Sequence, residues 1–271
     1  MGLITISRGT FGGGKAVAEL LAKRLGYVNL SREVVSGEAA ERYEIPDEQM
    51  LHSISELPGN FGLGESEHRR NMAYFRMIIL ERAVKSPTVY HSHGGHLILS
   101  GISGFMRVRI NAGIECRIKY AIQERNIDYK SALALITAID QKRKQWSQEV
   151  WGVEWNEPSL YDLVVNLDQL SVEGAVEIIS TASTLPEFAD SPAHRQVLED
   201  ELLKARIWVE LIKNSHTQRV RININVTSGQ VTFTGDVSSN KMKDAIIATA
   251  AEIHGVDKVI NNLCIGSSWH W

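Results

Sequence analysis

Along the first two thirds of the chain, short apolar β-branched runs alternate with stretches whose apolar residues recur at helical spacing. Residues 3–7 (LITIS) predict a strand, followed by a glycine cluster and then AVAELLAKRLG, a helix with Gly26 at its C-terminal cap. Residues 64–86 predict a long helix that ends before Pro87. TVYHSH reads as a strand, GGHLILSG as a helix starting at its glycines, and FMRVRINA as another strand. Residues 115–126 and 130–148 read as helices, YDLVVNLD as a strand, and SVEGAVEIISTAS as a helix opened by Ser171. Strands alternating with helices imply an α/β fold, a parallel sheet flanked by helices on both faces.

Near residue 184 the pattern changes. TLPEFADSPAHR holds two prolines, small residues and mixed charge, the composition of a linker. VLEDELLKARIWVELIK then predicts an amphipathic helix. RVRININVTSG and QVTFTGDV alternate polar and apolar residues and meet at Ser228-Gly229, a hairpin signal. NKMKDAIIATAAEIHG predicts a helix closed by Gly255, and VDKVINNLCI a last strand. The expected organisation is therefore a domain over 1–183, a linker over 184–196, a small α+β domain in the order α-β-β-α-β over 197–266, and a tail over 267–271.

Composition narrows the class. The 271 residues carry a net charge of -3, so the chain as a whole has no general attraction to nucleic acid or anionic lipid. No run approaches the roughly 18 apolar residues of a membrane span. The first residues lack the basic-apolar-small pattern of a signal peptide. Cys116 and Cys264 are the only cysteines and lie far apart, which fits reduced side chains. Together these readings predict a cytoplasmic protein.

The chemistry begins at Gly9-Thr10-Phe11-Gly12-Gly13-Gly14-Lys15, a G-x-x-x-x-G-K run between a strand and a helix. Glycines there let backbone N–H groups turn inward around phosphate oxygens, and the following helix aims its positive end at them. Lys15 would bridge the outer phosphates. Ala16 stands where a Ser or Thr hydroxyl would reach Mg²⁺, so the metal would need another ligand. A glycine turn that binds nothing is the alternative.

ITISRGTFGGGKAVAELLAKRLGY, VYHSHGGHLILSGISGFMRVRINA and GVEWNEPSLYDLVVNLDQLSVEGAVEII, in that order, resemble the cytidylate-kinase-like proteins, a family of P-loop nucleoside-monophosphate kinases. The likeness spans about residues 1–182 and implies transfer of a phosphoryl group from ATP, with Mg²⁺, to a CMP- or dCMP-like acceptor. Gly9, Gly12, Gly13, Gly14, Lys15 and Ala16 match the donor loop; Arg117, Arg125 and Arg143 match lid arginines; Arg32 and His93 fall at the acceptor side. An arginine can grip phosphate through two parallel hydrogen bonds, although each could equally be a solvated helix charge. The departures are His93 where the family has Arg, Ser31 where an Asp is common, and Gln141, Gln148 and Glu149 at lid positions usually basic. Loss of cations from a site that stabilises a polyphosphate should lower the rate steeply. A nucleotide sensor with weak or no kinase activity therefore stays open as a second reading.

His91, His93 and His96 form a cluster without a nearby carboxylate or thiol, so no metal site is assigned. Trp146, Trp151 and Trp155 fit packing of the lid onto the sheet. Trp269 and Trp271, in the tail, fit either a surface contact or a disordered end. GQVTFTGDVSSNKMKDAIIATAAEIHGVDKVINNLCI resembles a BON domain through Gly229, Val231, Gly235, Gly255, Val256, Val259, Asn261, Asn262 and Leu263. That likeness implies binding to phospholipid, a small ligand or a protein. Residues 197–271 hold eight Lys/Arg against eight Asp/Glu, a weak basis for electrostatic membrane attraction. A packing or dimerisation module is the alternative, and monomer and homodimer both stay open.

Overall fold

The computed structural model describes residues 2–57 and 64–266. Its larger sheet has five parallel strands, β1 (Leu3–Arg8), β2 (Val28–Ser31), β3 (Thr88–Ser92), β4 (Met106–Asn111) and β5 (Leu163–Asn166), in the order β2-β3-β1-β4-β5. The central strand β1 pairs Ile6 with His91 on one side and with Val108 on the other. A central parallel strand is covered on both faces, which is why LITIS reads as nearly continuous apolar sequence. Helices α1 (Gly14–Leu25), α2 (Arg32–Tyr43), α3 (Asp47–Ser53), α4 (Glu65–Lys85), α5 (Gly95–Ile98), α6 (Ile114–Arg125), α7 (Tyr129–Trp151) and α8 (Val172–Ala182) complete this part. Ile4 and Ile6 pack with α1 and α8 on one face, whereas Leu3, Tyr90 and Leu30 join the α2–α4 side. The α/β architecture with a parallel sheet and helices on both faces is as the periodicity predicts. Beyond it the structure adds β2, α2 and α3, to which no sequence expectation is attached.

A second sheet of three strands, β6 (Asn223–Thr227), β7 (Gln230–Val237) and β8 (Lys258–Ile265), lies in the order β6-β7-β8. β6 and β7 form the antiparallel hairpin turning at Ser228 and Gly229, both at positive φ, and β8 joins β7 in parallel. Helices α9 (Pro192–Lys213) and α10 (Asn240–Ala251) complete the α-β-β-α-β order. Helix α9 begins five residues earlier than the apolar periodicity suggests. Proline is tolerated in the first turn, where no N–H partner exists to be lost, and Ser191 caps the helix by accepting from the His194 amide.

Helix α9 carries two apolar stripes. Leu198, Leu202, Ala205, Val209 and Ile212 are buried in the core containing α4, while Leu203, Ile207 and Leu211 are buried with β6, β7 and α10. One helix thus supplies side chains to the cores of both sheets. No helix among the described residues is long and apolar enough to cross a membrane. The tail aromatics Trp269 and Trp271 lie outside the described residues.

Candidate active site at the glycine loop

Strand β1 delivers the chain into the glycine loop, which is tied at its base by Gly9 N–H donating to the Ile110 carbonyl of β4 at 2.9 Å. Within the loop, Gly12 N–H donates to the Gly9 carbonyl at 3.0 Å. Gly13 caps α1 at φ 77, and a β-carbon there would come within 2.8 Å of Leu167. Phe11 also sits at positive φ, 53, which is unusual for a bulky residue. Its side chain packs against the small core of Ile118, Ala121, Ala132 and Ile136 between α6 and α7, and that contact holds the strained residue in place. The first amides of α1, at Gly14, Lys15 and Ala16, have no intrahelical acceptor and lie at the positive end of the helix. Lys15 is exposed, its closest acid being Glu19 at 3.9 Å, so it can swing onto a ligand.

Guanidinium groups converge on this loop from distant elements. Arg117 of α6 donates through Nε to the Thr10 carbonyl at 2.7 Å and through Nη2 to Asp140 at 2.6 Å. Thr10 Oγ1 donates to the other Asp140 oxygen at 2.7 Å. Arg143, one helical turn further along α7, donates to the Arg8 carbonyl at 2.9 Å. Arg8 lies 3.6 Å from Glu33, which also accepts from Arg32 Nε at 3.1 Å. Four guanidiniums therefore face two carboxylates. Burial lowers Arg143 to about 9, with Asp140 opposing and Arg32, Arg8 and Arg117 adding to the fall. Burial raises Glu33, but a backbone hydrogen bond together with Arg32 and Arg8 outweighs it and leaves the carboxyl at about 2. Both groups are thus charged at neutral pH, and the excess cations favour an anion.

Beside the arginines lie three buried imidazoles. His91, His93 and His96 are each 4% exposed or less, and among the described residues neither ring nitrogen of any of them has a hydrogen-bond partner. His93 meets Trp146 edge-on at 5.2 Å, and a β-carbon on Gly94 would come within 2.9 Å of the same indole. The His93 carbonyl accepts from Ser7 Oγ at 3.2 Å, and Ser7 Oγ lies 3.2 Å from the Tyr161 hydroxyl, which donates to the Trp155 carbonyl. Burial lowers the pKa of all three, and nearby cations lower it further: Arg143, Arg32 and Arg8 for His93, Arg8 for His91, and Arg109 and Arg107 for His96. They are neutral imidazoles at pH 7, each able to donate one hydrogen bond and accept another.

Residues 3–169 match the cytidylate kinase-like family over more than half the chain. The chain belongs to that family. Residues 199–267 match the BON domain. The cytidylate kinase of Sulfurisphaera tokodaii is 26% identical over 178 residues, covering 65% of this chain and 93% of its own. That of Staphylothermus marinus is 30% identical over 99 residues, 36% of this chain and 55% of its own. Among solved structures, an uncharacterized protein from Eubacterium ventriosum superposes with a TM-score of 0.53 at 18% identity, over 67% of this chain and 98% of that one. This last likeness concerns the fold alone.

Against the family expectation, the kinase-like half brings together the glycine loop, Lys15, Arg32, Arg117, Arg143 and His93. Arg125 does not join them. It ends α6, about 12 Å along the helix from Arg117, and its exposed side chain lies 3.8 Å from its neighbour Glu124. Arg8, Thr10 and Asp140 are site residues that sequence reasoning missed. Asp140 is the carboxylate closest to the loop, and it is engaged by Thr10 and Arg117. Ala16 offers no oxygen, and no group of three or more His, Cys, Asp or Glu among the described residues could hold a metal ion.

Proposed function

We propose that this protein is a nucleoside-monophosphate kinase that transfers the γ-phosphoryl group of MgATP to a CMP- or dCMP-like acceptor. The observation that carries the reading is the set of four guanidiniums, with Lys15 in reserve, gathered around an N-terminal helix cradle with only two carboxylates to balance them. The α1 amides would hold the donor β-phosphate and Lys15 would lie along the β- and γ-phosphates. Arg143, with Arg8 and Arg32, would draw in the acceptor phosphate. An acceptor phosphate oxygen then forms the new P–O bond as the bond to the ADP oxygen breaks, and both charges stay against fixed cations. Such catalysis is mainly positioning and charge stabilisation. Arg117 acts as a positioning residue, since both its arms are engaged by Thr10 and Asp140. His93 would supply a neutral hydrogen bond where the family has a cation.

A coupled assay with ATP and each common nucleoside monophosphate tests this. Turnover of CMP or dCMP well above a Lys15→Ala control is expected, and none above that control would overturn it. A second reading is favoured by Ala16 and by the neutral His93: a sensor that binds nucleotide with little transfer. It predicts thermal stabilisation by nucleotides without ADP release. The BON half is proposed as a localising or regulatory module for lipid or protein, and the cytoplasm as the compartment.

A further inference from the structure

Where α4, α9 and β6 meet, between the two sheets, lies a cavity of about 280 Å³ that no part of the phosphoryl-transfer reading uses. Its floor is apolar, from Ala73, Ala205, Ile222 and Ile224, and the Trp208 ring forms one wall. At the rim stand two cations. Arg76 donates to Glu201 Oε2 at 2.8 Å and Lys204 to Glu201 Oε1 at 3.2 Å, so two cations share one carboxylate and the trio carries a net charge of +1. Arg69 lies over the Trp208 ring at 5.7 Å and adds a further cation beside the aromatic wall.

Size and charge together restrict the occupant. An apolar cavity of about 150 Å³ accepts benzene, so this one has room for two fused rings. Ligand sites of this kind pair an apolar body with a few polar groups that fix orientation. We infer that the cavity binds a small amphipathic anion: a flat two-ring apolar body that lies along Trp208 and presents one carboxylate to Lys204 and Arg76. Arg76 Nη1 also donates to the carbonyls of Ile98 at 2.6 Å and Ser100 at 3.3 Å, at the end of the helix that carries His96. An occupant that draws on Arg76 therefore reaches a segment adjoining the candidate acceptor site. The inference stands whether or not that site transfers phosphate.

Calorimetric titration of the full chain with 2-naphthoate tests it, beside the neutral 2-naphthalenemethanol and the cationic 2-naphthylmethylammonium. Saturable one-to-one binding of 2-naphthoate is expected, with the other two at least tenfold weaker. Lys204→Met, at a partly exposed position, should weaken 2-naphthoate at least tenfold. Ile222→Trp, which fills the cavity, should abolish binding, and each variant is read only where its melting transition is retained. Absence of saturable binding to the unaltered chain would overturn the inference. So would equal 2-naphthoate affinity in whichever variant folds, or equal binding of the neutral compound.

Discussion

The Thr10 hydroxyl donates to Asp140 across 2.7 Å, although 130 residues separate them in the chain. The second oxygen of the same carboxylate takes Arg117, whose other arm holds the Thr10 carbonyl. One carboxylate of α7 thus sets both the side chain and, through Arg117, the backbone of the glycine loop. Asp140→Asn removes the charge and weakens both hydrogen bonds, and a hydrogen bond to a charged group contributes about 1.5–3 kcal/mol. A loss of that size on transition-state positioning corresponds to a fall in kcat/KM of about 10- to 100-fold. Steady-state kinetics with the preferred acceptor check this, and kinetics unchanged from the parent protein would mean that the brace does not position the loop.

Lys15 gives the complementary case. Its side chain is 70% exposed and its nearest acid is 3.9 Å away, so it does little for the folded state. Lys15→Met should leave stability within about 0.5 kcal/mol, as surface substitutions usually do. Turnover should fall by about 100-fold or more, the scale of removing one transition-state charge contact. Denaturant unfolding and the coupled assay, run on one preparation, separate the two effects. A matching loss of stability would mean that Lys15 is structural.

The buried histidines impose a pH dependence whose sign is set by their surroundings. Burial holds His91 down to about 4 and His96 to about 3, and lowers His68 and His93 as well. The unfolded chain begins to protonate these side chains near pH 6.5, before the folded protein does. Between those values the unfolded state binds more protons, so stability is complete above about pH 6.5 and falls as the pH drops toward 4. Glu33, held at about 2, titrates lower still, which leaves the upper part of this window to the histidines. Melting curves from pH 7.5 to 4.5 should show a progressive loss. His96→Phe, which replaces an imidazole without a hydrogen-bond partner beside the Tyr161 ring at 4.5 Å, should flatten the curve. An unchanged slope in that variant would assign the loss to other groups.

The strand–glycine–helix opening was legible because everything that defines it lies within 25 residues: an apolar run, a G-x-x-x-x-G-K spacing and a glycine cap. The small C-terminal domain was legible for the same reason, through two alternating strands and the Ser228-Gly229 turn. Residues 27–53 were not. β2 has only four residues, two of them exposed, and α2 contains Gly37 and few apolar side chains, so neither period emerges. Asp140 was invisible because its role depends on a contact across the fold with Thr10, and on α7 it reads as one more polar residue. Arg125 is the converse case. The family resemblance groups it with Arg117 and Arg143, whereas in the structure it ends α6 beside Glu124.

The two stripes of α9 were also read as one, and the second stripe carries a consequence for unfolding. Leu202 is buried against α4 and Ile207 among the strands of the smaller sheet, five residues apart on the same helix. Melting either core strips α9 of half its burial, so the two halves should unfold together although their sheets are separate. Ile207→Ala leaves a cavity in the smaller core and should cost about 2–5 kcal/mol. If α9 couples the halves, that loss appears in the larger core too. Calorimetry should show a single transition moved to lower temperature, and Leu202→Ala should move the same transition from the other side. Two resolved transitions, with Ile207→Ala shifting one of them alone, would show that α9 joins the cores without binding their stabilities together.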